Sequence, residues 1–172
     1  MFALSGWRRG ALAWSAAIGG TLGLILFLKL RFFACDQLLL EARLRNPSGH
    51  TAAAAAVYGG LVTTVVRSIW NIRRWALPCT VAIALLLAVV IGASRLMLDL
   101  HSMAEVVVGG AIGVGGAVSF TVLAGPPSPA VRMSRVVVMS LLLIALLYGI
   151  RMPAEAAIKS VATRLWPLLE CI

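Results

Sequence analysis

Long stretches without a single charge constrain this chain more than any other feature. Residues 10–28, 76–93, 106–131 and 136–150 contain no Asp, Glu, Lys or Arg. Residues 50–66 are equally free of them, with a histidine at their head. A helix needs roughly 20 residues to cross roughly 30 Å of hydrocarbon, and it satisfies its own backbone polar groups there. Three blocks are long enough outright. The two shorter ones end at Arg67, Arg135 and Arg151, whose side chains can snorkel to the interface. The expected fold is all-α: an integral membrane bundle of five spanning helices, with a margin of one.

Composition agrees. Of 172 residues, 61% are hydrophobic and 12% charged, too few charges to coat a soluble domain of this length. The net charge of +9 does not point to nucleic acid. The basic residues sit almost entirely between the apolar blocks, where topology and anionic headgroups account for them. Cys35, Cys79 and Cys171 show no metal-ligand spacing, and their odd number argues against a disulfide framework. Arg8 and Arg9 precede an apolar run in the manner of a signal peptide. That run lacks a small-residue cleavage site, so it is expected to stay as the first helix.

The spans are expected at about 10–30, 48–67, 76–94, 101–124 and 134–152, in one domain covering 1–172. The cluster Gly125-Pro126-Pro127-Ser128-Pro129 breaks the fourth from the fifth. Beyond Pro153, Lys159, Arg164, Trp166 and Glu170 among apolar residues suggest an interfacial helix lying on the membrane. Glycines 109, 110, 113, 115 and 116 in the fourth span, and 19, 20 and 23 in the first, read as faces for close helix packing. Arg8, Arg9, Arg67, Arg73, Arg74, Arg132 and Arg135 gather on one side with no acid, and all six acids lie on the other. Several basic residues of the acidic side have a chemical explanation. Discounting those places the N-terminus in the cytoplasm.

Two histidines occur, each at the start of an apolar block. Two crossings separate them, so His50 and His101 return to the same face of the membrane. Lys29, Arg31, Arg95, Asp99 and Glu105 are expected on that face too, and ionisable groups at membrane depth are usually functional. In Asn46-Pro47-Ser48-Gly49-His50, Ser48 is a good N-cap and Gly49 allows close backbone approach. The helix N-terminus that follows can receive an anion. His101 and Glu105, four apart, share a helical face. The carboxylate can hold one ring nitrogen protonated and leave the other free as a nucleophile. Arg95 offers a bidentate fork to phosphate oxygens.

Pro47-Ser48-Gly49-His50, followed by Ser94-Arg95, five residues and His101, resembles the second and third signatures of the type 2 phosphatidic acid phosphatase family. The resemblance covers about 29–124. It implies that His101 attacks phosphorus and forms a phosphohistidine, while His50 protonates the leaving alkoxide and later activates water. Ser48, the Gly49 N–H and Arg95 would hold the equatorial oxygens, with neither metal nor other cofactor. Two departures stand out. The third signature ordinarily ends in Asp, where this chain has Glu105. The first, Lys-(six residues)-Arg-Pro, survives only as Lys29, because Asp36-Gln37 replaces Arg-Pro. Either Lys29 and Arg31 or Arg43 and Arg45 would then complete the phosphate site, with Lys29 at the motif position.

The expected function is hydrolysis of a lipid phosphate or pyrophosphate at the outer face of a bacterial-type inner membrane. The expected partners are the membrane and its phosphorylated lipid. A family member that keeps the fold and binds lipid, or acts as a scaffold, without turnover is the alternative. A transporter would need more polar residues inside its helices than Thr63, Thr64, Thr80 and Ser119.

Overall fold

The computed structural model describes residues 7–34, 46–70, 74–127, 138 and 154–165. They form helices α1 (Arg8–Ala34), α2 (Gly49–Trp70), α3 (Ala76–Met97), α4 (Met103–Ala124) and α5 (Ala154–Leu165), with no strand among the described residues. Helices α1 to α4 are each long and apolar enough to cross a membrane. The expected fifth span, 134–152, lies outside the described residues, as do Arg43, Arg45, Asp36, Cys35 and Cys171. Both α1 and α3 overrun the uncharged blocks that forecast them. Arg31 and Arg95 ride in their last turns, where a cation suits the helix dipole and reaches the interface.

Helix α4 is central and packs against α1, α2 and α3, while α5 packs on α1. Small residues set the close approach. A Cβ added at Gly59 would lie 2.9 Å from that of Ala84, one at Gly113 would run into the Ala52 carbonyl, and one at Gly116 into the Thr21 hydroxyl. Apolar attraction does not separate helix from lipid, so van der Waals contact between such faces carries the association. Thr21, Thr63, Thr64 and Thr80 return their hydroxyls to carbonyls four residues back, and Thr80 also meets Thr121 at 3.0 Å across the α3–α4 contact. These four hydroxyls are therefore satisfied within their own helices.

Among the described residues, close packing is seen at Gly109, Gly110, Gly113 and Gly116 of α4. Gly19, Gly20, Gly23 and also Gly115 are exposed, with no described atom within 4 Å of an added Cβ. Gly20 and Gly115 line an open groove of about 450 Å³ between α1 and α4. One feature escaped the sequence: Ala54–Tyr58 forms a π-helical turn inside α2, one turn past His50.

Candidate active site

At one end of the bundle the 46–50 turn rests on α4. Ser48 is the N-cap of α2, and its Oγ lies 3.4 Å from the Thr51 N–H and 2.9 Å from the Thr51 hydroxyl. Both side chains are fully buried. The Ser48 N–H donates to the Glu105 carbonyl at 3.1 Å. A Cβ at Gly109 would collide with the Ser48 carbonyl oxygen, so the seat of this turn on α4 requires glycine. The Ser48 hydroxyl, expected on phosphate, also caps its own helix. The half-buried Gly49 and the exposed His50 follow it. Beside Gly49 lies Lys29, whose Cε would be 3.8 Å from a Cβ added there. Lys29 is only 7% exposed, placing its stem inside the bundle at the turn.

The second half of the site starts α4. Ser102 is its N-cap: its Oγ accepts from the Glu105 N–H at 3.3 Å, while Glu105 Oε2 accepts from the Ser102 N–H at 3.0 Å. This reciprocal capping box satisfies two donors that a helix start otherwise leaves open. The same Oε2 stands 3.0 Å from His101 Nδ1. The other oxygen, Oε1, accepts from the Asn46 N–H at 2.7 Å, a short charge-assisted bond. The side chains of His101 and Glu105 are 6% and 8% exposed. A carboxylate only accepts, so a neutral His101 ring carries its proton on Nδ1 and keeps the Nε2 lone pair. The one extra methylene relative to aspartate lets this carboxylate span from the histidine to the 46–50 turn.

Arg95 enters from the end of α3. The Asp99 N–H bonds to the Leu96 carbonyl and the Leu100 N–H to the Arg95 carbonyl, both at 3.0 Å, with Asp99 left-handed at φ 52°. This is a Schellman cap, and it turns the chain from Arg95 into His101 within six residues. The Arg95 Nε is buried, with no hydrogen-bond partner among the described residues. An oxyanion would satisfy such a donor. Arg31 lies half-buried in the last turn of α1, whereas Asp99 stays exposed in the connecting turn. No group of three or more His, Cys, Asp or Glu that could hold a metal occurs among the described residues.

A family model, that of the PAP2 superfamily, matches residues 31–127, over half of the chain. The chain belongs to the PAP2 superfamily. It is also similar to a protein of Klebsiella pneumoniae described as an uncharacterized 22.5 kDa protein in the cps region. The two are 28% identical over 169 residues, covering 90% of this chain and 75% of the relative. No solved structure matches. The PAP2 match runs from the end of α1 past α4 and contains both histidine signatures, with Lys29 just ahead of it. Three members of the network were not singled out by sequence reasoning: Asn46, Thr51 and Ser102. Ser102 had a readable signal, the box Ser-x-x-Glu before an apolar run. Asn46 takes part through its backbone, which no side-chain pattern announces.

Proposed function

We propose that this PAP2 protein hydrolyses a phosphomonoester or pyrophosphate on a lipid headgroup, without a metal, at the extracytoplasmic face of a bacterial inner membrane. The observation that carries the reading is the 3.0 Å contact of Glu105 with His101 Nδ1, in a PAP2 chain whose buried Arg95 donor lacks a described protein acceptor. His101 Nε2 attacks phosphorus in line, a P–N bond forms, and the P–O bond to the lipid breaks. His50 gives its proton to the departing alkoxide. Water, relieved of a proton by His50, then attacks the phosphohistidine, and inorganic phosphate leaves. Arg95, Lys29, Arg31 and the Gly49 N–H stabilise the charge on the equatorial oxygens. The Ser48 hydroxyl supports this cradle by fixing the turn. A substrate whose tail lies in lipid presents its phosphate at the depth of such a site.

One observation favours the second reading, a lipid-binding or scaffold protein without turnover: Asp36 stands where the first signature has arginine. Phosphate release from a panel of lipid phosphates by purified protein decides between them. We expect turnover that chelators leave unchanged, and a loss of roughly 10⁴-fold or more in His101→Ala and His50→Ala. Equal rates for wild type and His101→Ala would refute the mechanism. An inert wild type across the panel would favour the scaffold.

A further inference from the structure

Glu105 divides its carboxylate between two parts of the chain. Oε2 faces His101 Nδ1 and the Ser102 N–H, whereas Oε1 takes the Asn46 N–H at 2.7 Å, across 59 residues of sequence. Asn46 opens the turn Pro47-Ser48-Gly49-His50. Two residues on, the Ser48 N–H is tied to the backbone carbonyl of the same glutamate at 3.1 Å. The side chain and main chain of one residue therefore hold the segment that carries His50, while the remaining carboxylate oxygen orients His101.

We propose that Glu105 is a positioning residue for both histidines, and that its length, not only its charge, sets His50 against the leaving group. The proposal rests on the phosphatase reading of the site. Shortening the side chain to aspartate withdraws the carboxylate by about 1.5 Å. An aspartate that still reaches His101 must then release the Asn46 N–H. The expected loss falls on the step that needs His50 as an acid. Misplacement of a catalytic group by about 1 Å is enough for a loss on the order of 100-fold.

The test uses the purified full-length chain and two substrates. An alkyl lipid phosphate needs its leaving group protonated, whereas nitrophenyl phosphate leaves without help. For Glu105→Asp we expect lipid phosphate hydrolysis to fall about 100-fold, and first-turnover nitrophenolate release by less than about 10-fold. His50→Ala should show the same leaving-group dependence, while His101→Ala should abolish both reactions. Hydrogen exchange of a peptide containing the Asn46 amide reads the tie itself. Exchange at that amide should quicken at least about 10-fold in Glu105→Asp. Equal losses on the two esters, or unchanged Asn46 exchange, would overturn the proposal. Should Glu105→Asp not fold, Asn46→Pro removes the same donor from the other side and is read on the two esters, where the same leaving-group dependence is expected and equal losses would overturn the proposal. An inert wild type would count against the phosphatase reading alone, and exchange would then decide whether the tie exists.

Discussion

The two ends of the bundle are held together by different kinds of contact. At the end carrying Trp7, rings do the work. Trp7 and Trp14 stand edge-on to Phe120 at 6.4 and 5.1 Å between centroids, and the Arg9 Nε–H bonds to the Leu123 carbonyl at 2.8 Å. At the histidine end, hydrogen bonds of fixed direction link Asn46, Ser48, His101 and Ser102 to Glu105. Ring packing tolerates small shifts with a gradual loss of energy. A network around one buried carboxylate does not, since each unmade bond leaves a buried polar group. The stiff, directional end is where reacting atoms would need fixed positions. The adaptable end only has to keep the helices in register.

That contrast breaks most sharply at Gly109. Gly109→Ala drives a methyl into the Ser48 carbonyl and must either lift the turn off α4 or separate the helices. We expect a loss of about 3 kcal/mol in unfolding free energy, together with a fall in lipid phosphate hydrolysis on the order of 100-fold. Gly23→Ala is the matched control. With no described atom within 4 Å of the new Cβ, it should be neutral or slightly stabilising, because alanine favours the helix. If the two substitutions behaved alike in thermal unfolding, glycine content and not close approach would explain the α4 stripe.

Phe120→Ala tests the other end. Phe120 is 1% exposed and touches both tryptophans. In a soluble protein its removal would cost about 3–5 kcal/mol. Lipid tails are as apolar as the core, so the transfer part of that cost largely disappears in a membrane and the packing part remains. We expect about 2 kcal/mol of destabilisation, with hydrolysis per folded molecule close to wild type. A fall in hydrolysis as large as that of Gly109→Ala would mean that the two ends are coupled rather than independent.

The same division marks what could be read from the letters. Four spans were legible because absence of charge over some 20 residues is a property of the local sequence. Their ends were less so: α1 runs three to four residues beyond the expected 30, because Arg31 can stay helical while its charge reaches the interface. That the helix starts bearing His50 and His101 and the helix end bearing Arg95 lie at one end of the bundle followed from counting crossings. Glu105 was legible as the residue four along from His101, yet its second oxygen was not, because the partner is a backbone N–H from another helix start. The π-helical turn at Ala54–Tyr58 had no local signal either. Five consecutive alanines are compatible with any helix, and the choice falls to the seam with α3 and α4.

The smallest expected effect lies between the two halves of the histidine end. Asp99 sits at the left-handed position of the Schellman cap, φ 52°, and is exposed. Glycine is the usual occupant, because a Cβ is crowded there, although aspartate tolerates the region better than most residues. Asp99→Gly removes that crowding but also loosens the unfolded chain, and the two effects oppose one another. A net gain of about 0.5 kcal/mol is expected from thermal unfolding, with the spacing from Arg95 to His101 unchanged. Asp99→Val should instead lose about 1–2 kcal/mol, since a β-branched side chain is the least suited to this region. Because the cap carries Arg95 on one side and delivers His101 on the other, Asp99→Val should also lower hydrolysis more than its stability loss explains. If it did not, the arginine and the histidine would be placed by their helices alone, and the turn between them would be only a connection.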